Sequence, residues 1–140
     1  MIRFGLFLSL TSFALVATAA LAADDISGFP GVDKLPAGYQ SDGFVAGLGT
    51  PYSFGDVTQL PTKPLYWVYH DKIIGFLIEI DEKQIAQRVN LFGIQPIAGL
   101  PPIDHIDLEH SDGHGPWAQS TWELRVDFVS AAFLDHMTAP

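Results

Sequence analysis

The 140-residue chain has no cysteine, only 7 Lys and Arg against 16 Asp and Glu, and no apolar run of membrane-spanning length beyond its first two dozen positions. Each lack removes a class of protein. Without cysteine there is no disulfide, no thiol for a lipid anchor and no cysteine pair for a metal, so burial or association must stabilise the domain. A net charge of −9 repels phosphate backbones and anionic lipid, which argues against nucleic acid as a partner. Also missing are an H-E-x-x-H helix, the spacing of a calcium loop and a G-x-S-x-G turn, so no familiar catalytic signature is present.

What the chain does have begins with an export pattern. Met1 to Ala22 carries one basic residue (Arg3), an apolar run from Phe4 to Val16, and small residues at Ala20 and Ala22, where a signal peptidase reads. Residues 1–22 are therefore expected to be a signal peptide, cut after Ala22 or Ala23. An uncleaved anchor is the competing reading, since Ile2 to Ala23 approaches the roughly 20 residues of a membrane helix. Ser9, Thr11, Ser12 and Thr18, and the lack of a following basic cluster, oppose it. Cleavage after Ala22 leaves 118 residues with six basic against sixteen acidic side chains, a net −10. That product is expected to be periplasmic or extracellular, with no stable membrane insertion. Its Gly and Pro together number 22, which favours short strands and ordered loops over long helices.

Residues 23–38 show neither a helical nor a strand period and read as a flexible arm; residues 39–140 read as one β-rich domain. Phe44 to Leu48 is expected as a short strand, turned at Gly49-Thr50-Pro51 into Tyr52 to Gly55. The strongest pattern is Leu65 to Ile80, two apolar runs around Asp71-Lys72, which predicts a hairpin covered on both faces by core, another element or a second subunit. Asp81, with Gln84 three residues on, predicts a capped helix of two to three turns through Ile85 and Val89. Asn90 to Pro102 is too interrupted by Gly and Pro for a regular element. Ile103 to Glu109 and Thr121 to Val129 alternate as paired strands, and Ser130 is expected to cap a short terminal helix. The class is α+β: a small, mostly antiparallel sheet or barrel-like domain with two short helices.

Alternate residues of a strand share a face. If the two late strands pair, His105, Asp107 and Glu109 face the same way as Glu123, Arg125 and Asp127, while the intervening loop adds His114. Six acids, three histidines and one arginine fall between Asp104 and Asp127. Imidazole and carboxylate suit a divalent transition metal, with His105, Asp107, Glu109 and His114 as candidate ligands; no other cofactor is expected. Arg125 favours a plainer outcome, in which Glu123, Arg125 and Asp127 form cross-strand ion pairs on a solvated face. Catalysis by paired carboxylates such as Glu109 and Glu123 requires burial to raise one of them. Trp117, among polar turn residues, is the candidate exposed contact.

G-L-G-T at Gly47 to Thr50, the hairpin, D-H-I-D-L at Asp104 to Leu108, G-H-G-P at Gly113 to Pro116 and the last alternating strand together resemble a family of exported bacterial domains of unknown function. That family carries a D-H-[IV] strand, a G-H-x-P loop and a P-H-F-D-x-H-F strand. The resemblance implies a small β-rich domain assembling into a closed homo-oligomer, with His105 and His114 matching family histidines. Where the family alternates His, Asp and His, this chain has Glu123, Arg125 and Asp127, which favours a salt-bridged face over an intact transition-metal centre. The leading expectation is an exported, non-catalytic domain that self-associates through Leu65 to Ile80. A metal or small-ligand binder using His105 and His114 is the alternative, and a hydrolase or isomerase with paired carboxylates the second.

Overall fold

The computed structural model of the chain describes residues 24–87 and 97–139. The expected signal peptide, Val89, and Asn90 to Pro96 lie outside them. Six strands form one antiparallel sheet: β1 (Tyr39–Ser41), β2 (Thr50–Phe54), β3 (Leu65–Tyr69), β4 (Lys72–Asp81), β5 (His105–Ser111) and β6 (Thr121–Asp127), in the order β1-β2-β3-β4-β6-β5. The sheet is open, with β1 and β5 at its edges, which corrects the barrel-like expectation. Two short helices complete it, α1 (Glu82–Ile85) and α2 (Ala131–Asp135).

The hairpin turns at His70-Asp71, one residue earlier than the composition suggests. Both have positive φ, 45° and 60°, which the twist of a two-residue hairpin demands. A register shift between Trp67 and Val68 leaves Ile74 as an extra residue in β4, so the alternation slips by one: Ile74 shares a face with Leu77 and Ile73 the other with Phe76. On one face Leu65, Trp67, Ile74 and Leu77 pack with Trp117, Val129, Leu134 and Met137. On the other, Tyr66, Val68 and Ile73 pack with Ile97, Val126 and Phe128. Burying each such aliphatic side chain contributes roughly 1.5–3 kcal/mol, so these layers dominate stability. Both hairpin faces are thus covered by the chain's own residues, and the surface expected to bind a second copy is spent in the core.

Three local expectations change. Phe44 to Leu48 is a turn closed by a hydrogen bond from the Val45 N–H to the Gly49 carbonyl (2.7 Å), not a strand. Gly49 has φ +100°, and a Cβ there would lie 2.7 Å from the Val68 carbonyl oxygen, so the turn needs glycine. Residues 24–38 do not hang loose: the Ile73 N–H donates to the Pro30 carbonyl (3.0 Å), the Val32 N–H to the Asp71 carbonyl (2.9 Å), and Lys72 Nζ to the Phe29 carbonyl (3.1 Å). Described α1 is one turn. Asp81 caps it by accepting from the Lys83 N–H (2.7 Å), while Gln84 donates to the Leu60 carbonyl (3.2 Å) instead of closing a capping box. Ser130 caps α2 through the Phe133 N–H (3.2 Å).

Candidate metal centre

The register of β4, β6 and β5 arranges one sheet face in rows. Gly75, Asp127 and His105 form one; Leu77, Arg125 and Asp107 the next; Glu79, Glu123 and Glu109 the third; Asp81, Thr121 and Ser111 the last. Three glutamates therefore stand side by side on adjacent strands, an arrangement that repels itself unless a cation lies among them or one carboxyl holds a proton. Glu79 is fully buried, and neither of its carboxylate oxygens has a hydrogen-bond partner. An ionised group in that position is costly.

The loop after β5 folds back over this row. Gly113, at φ +104°, lets the chain turn so that the Trp117 N–H donates to the His114 carbonyl (2.9 Å). His114 is steadied by Ser111, whose hydroxyl lies 2.8 Å from Nδ1, and by the edge-on ring of Trp117, 5.2 Å away between centroids. That leaves Nε2 facing the glutamates, 3.1 Å from Glu123 Oε1 and 3.4 Å from Glu79 Oε1. Two ligands each about 2.1 Å from a tetrahedral ion stand about 3.4 Å apart, so the two nitrogen–oxygen spacings are those of ligands that could share a first-row ion. Glu79, His114 and Glu123 offer ligand atoms all within 4.8 Å of one another.

Burial pushes the Glu79 carboxyl up to about 7; the Thr121 hydroxyl beside it pulls back without reaching hydrogen-bond geometry, and the Glu123 charge pushes up again. A raised carboxyl beside a second one is also the pairing that acid–base enzymes use. In this sheet it is Glu79 with Glu123 that has it, whereas Glu109 is exposed.

A second cluster lies at the far end of the face. His105 Nδ1 is 2.9 Å from Asp104 Oδ1, and its Nε2 is 3.3 Å from Asp127 Oδ2 and 3.6 Å from Asp107 Oδ2. Arg125 joins both carboxylates, with Nε donating to Asp127 (2.7 Å) and a terminal nitrogen to Asp107 (3.2 Å). Asp127 is buried, and burial raises its carboxyl while the Arg125 hydrogen bond and charge pull it down.

The polar face drawn from the alternation is thus one face, but its candidate ligands do not form one site. His105 and Asp107 belong to the cluster around Arg125, His114 to the glutamate row, and Glu109 to neither. The reason is reach: Ser111, which holds His114, lies six residues beyond His105, roughly 20 Å along a strand. Nor is the face uniformly solvated, since Glu79 and Asp127 are buried. Trp117 is 6% exposed, not an exposed contact; its indole N–H donates to the Val57 carbonyl (2.7 Å) and its ring joins the core. Glu79 is hidden in the sequence because the hairpin reads as apolar. Its signal is being the lone charge between Ile73 and Ile80.

No protein-family model matches the chain, and no curated protein does. Among solved structures it is similar to a hypothetical protein from Thermus thermophilus, at 18% identity and a TM-score of 0.54, over 68% of this chain and 88% of that one. At that identity the likeness concerns the fold.

Proposed function

We propose that this chain binds one divalent transition-metal ion through Glu79, His114 and Glu123. The observation that carries the reading is the fully buried Glu79 carboxyl, which has no hydrogen bond and whose Oε1 lies 3.4 Å from the His114 imidazole, beside a second carboxylate. A divalent cation there would offset both glutamate charges and supply the contact Glu79 lacks. His114 and Glu123 are 40% and 25% exposed at their side chains, so a bound ion would keep a coordination position open to solvent. Read with residues 1–22 as an export signal, the site would operate in the periplasm or outside the cell. The test is metal content after tag-free purification from metal-supplemented medium. About one equivalent per chain in the wild type and near none in His114→Ala is expected; equal, near-zero metal in both overturns the reading.

Self-association is a second reading, moved to a different surface. Ile106 and Leu108, each 56% exposed, line the outer face of β5, which among the described residues is an edge strand of the sheet. A second copy of the chain is the partner that fits the family resemblance. Light scattering should then show an oligomer that Leu108→Lys reduces to monomer; a wild type monomeric across micromolar concentrations contradicts it.

A further inference from the structure

Among the described residues, two clusters bring one histidine nitrogen and two carboxylate oxygens within 4.8 Å of one another: Glu79, His114 and Glu123, and His105, Asp107 and Asp127. In donor set they are nearly equivalent. The second even has the better-supported imidazole, because Asp104 accepts from or orients Nδ1 at 2.9 Å and leaves Nε2 toward the other two carboxylates. What separates them is Arg125. It lies in β6 midway between Glu123 and Asp127, two residues from each and on the same face, so either row is within its reach. Its contacts go one way only. Nε donates to Asp127 Oδ2 at 2.7 Å, and the terminal nitrogen to Asp107 Oδ2 at 3.2 Å. Those are the same two oxygens that His105 Nε2 approaches.

We infer that Arg125 is the built-in cation of the second cluster, closing His105, Asp107 and Asp127 to metal and making the chain a one-metal rather than a two-metal protein. A guanidinium is a fixed cation whose rigid fork suits two carboxylates at once. An incoming divalent ion would have to displace those N–H donors from both oxygens and then sit against the positive charge. Among the described residues the glutamate row has no such occupant. Glu79 keeps two unpartnered oxygens, while buried Asp127 has its counter-charge in Arg125. The side on which Arg125 settles therefore assigns metal to one end of the face and a permanent ion pair to the other.

The inference uses the proposed Glu79 centre only for the count of ions, and the two can fail separately. Zinc per chain is measured by equilibrium dialysis on the full-length mature protein for the wild type, His105→Ala, His114→Ala, Arg125→Gln and Arg125→Gln with His105→Ala. The inference expects one equivalent in the wild type, unchanged in His105→Ala. It expects a second equivalent in Arg125→Gln, lost again when His105→Ala is added. Loss of metal in His105→Ala alone, or no gain in Arg125→Gln while His114→Ala still abolishes wild-type binding, overturns the inference and leaves the Glu79 reading standing. No zinc in the wild type but one His105-dependent equivalent in Arg125→Gln does the reverse. Should Arg125→Gln fail to fold, the single His105→Ala variant decides: unchanged binding supports the closed cluster and reduced binding refutes it.

Discussion

Glu79 is a fully buried carboxyl beneath a histidine, with no hydrogen bond to either oxygen. Burial raises its carboxyl from an ordinary 4.5 to about 7 in the folded chain. The sign follows from linkage: between those values the folded state holds a proton that the unfolded state has released. Metal-free protein should therefore lose stability as pH rises from about 4.5 to about 7, and change no further from this source above that. Glu79→Gln should flatten the slope. Urea midpoints measured across that range in the presence of chelator check it, and parallel slopes for the two proteins contradict it. In the sequence Glu79 is one acid in an apolar strand. Its partners lie 35 and 44 positions on, at His114 and Glu123, so only the register of β4 against β6 and the fold of the loop reveal them.

At the scale of elements, alternation was a dependable guide to which side chains share a face and a poor one to which face is covered. His105, Asp107, Glu109, Glu123, Arg125 and Asp127 are in register on one face, because strand period is a local property. Cover is not local. The loop carrying His114 and Trp117 folds over the polar side, while Ile106 and Leu108 on the outer side stay exposed. Phe44 to Leu48 alternates well enough for a strand, but Gly47 and Gly49 both take positive φ, and the turn prevails. Gly49→Ala combines that backbone strain with a Cβ held 2.7 Å from the Val68 carbonyl oxygen; Gly43 has open space around it. Gly49→Ala should cost at least about 1–3 kcal/mol, and Gly43→Ala less than about 0.5 kcal/mol. Chemical denaturation of the two variants separates them, and equal midpoints would refute the turn's dependence on glycine.

Taken whole, the molecule is one sheet with a core on each side of its central hairpin and an acidic face closed at one end by an arginine. Segment 24–38 is part of that structure, because its backbone meets the β3–β4 turn some forty residues away, a pairing that its irregular Gly and Pro content does not announce. The Thermus protein shares the fold at 18% identity, as expected when layered burial rather than particular side chains sets the architecture. The proposed function rests on the few residues that burial alone cannot account for: Glu79 with His114 and Glu123 on one row, and Arg125 with its aspartates on another. The most direct test is an anomalous difference map from crystals of the mature protein grown with zinc, recorded on both sides of the zinc edge. A peak about 2 Å from Glu79 Oε1, His114 Nε2 and Glu123 Oε1 is predicted; an empty glutamate row in zinc-bearing crystals, or a peak beside His105, would contradict the account.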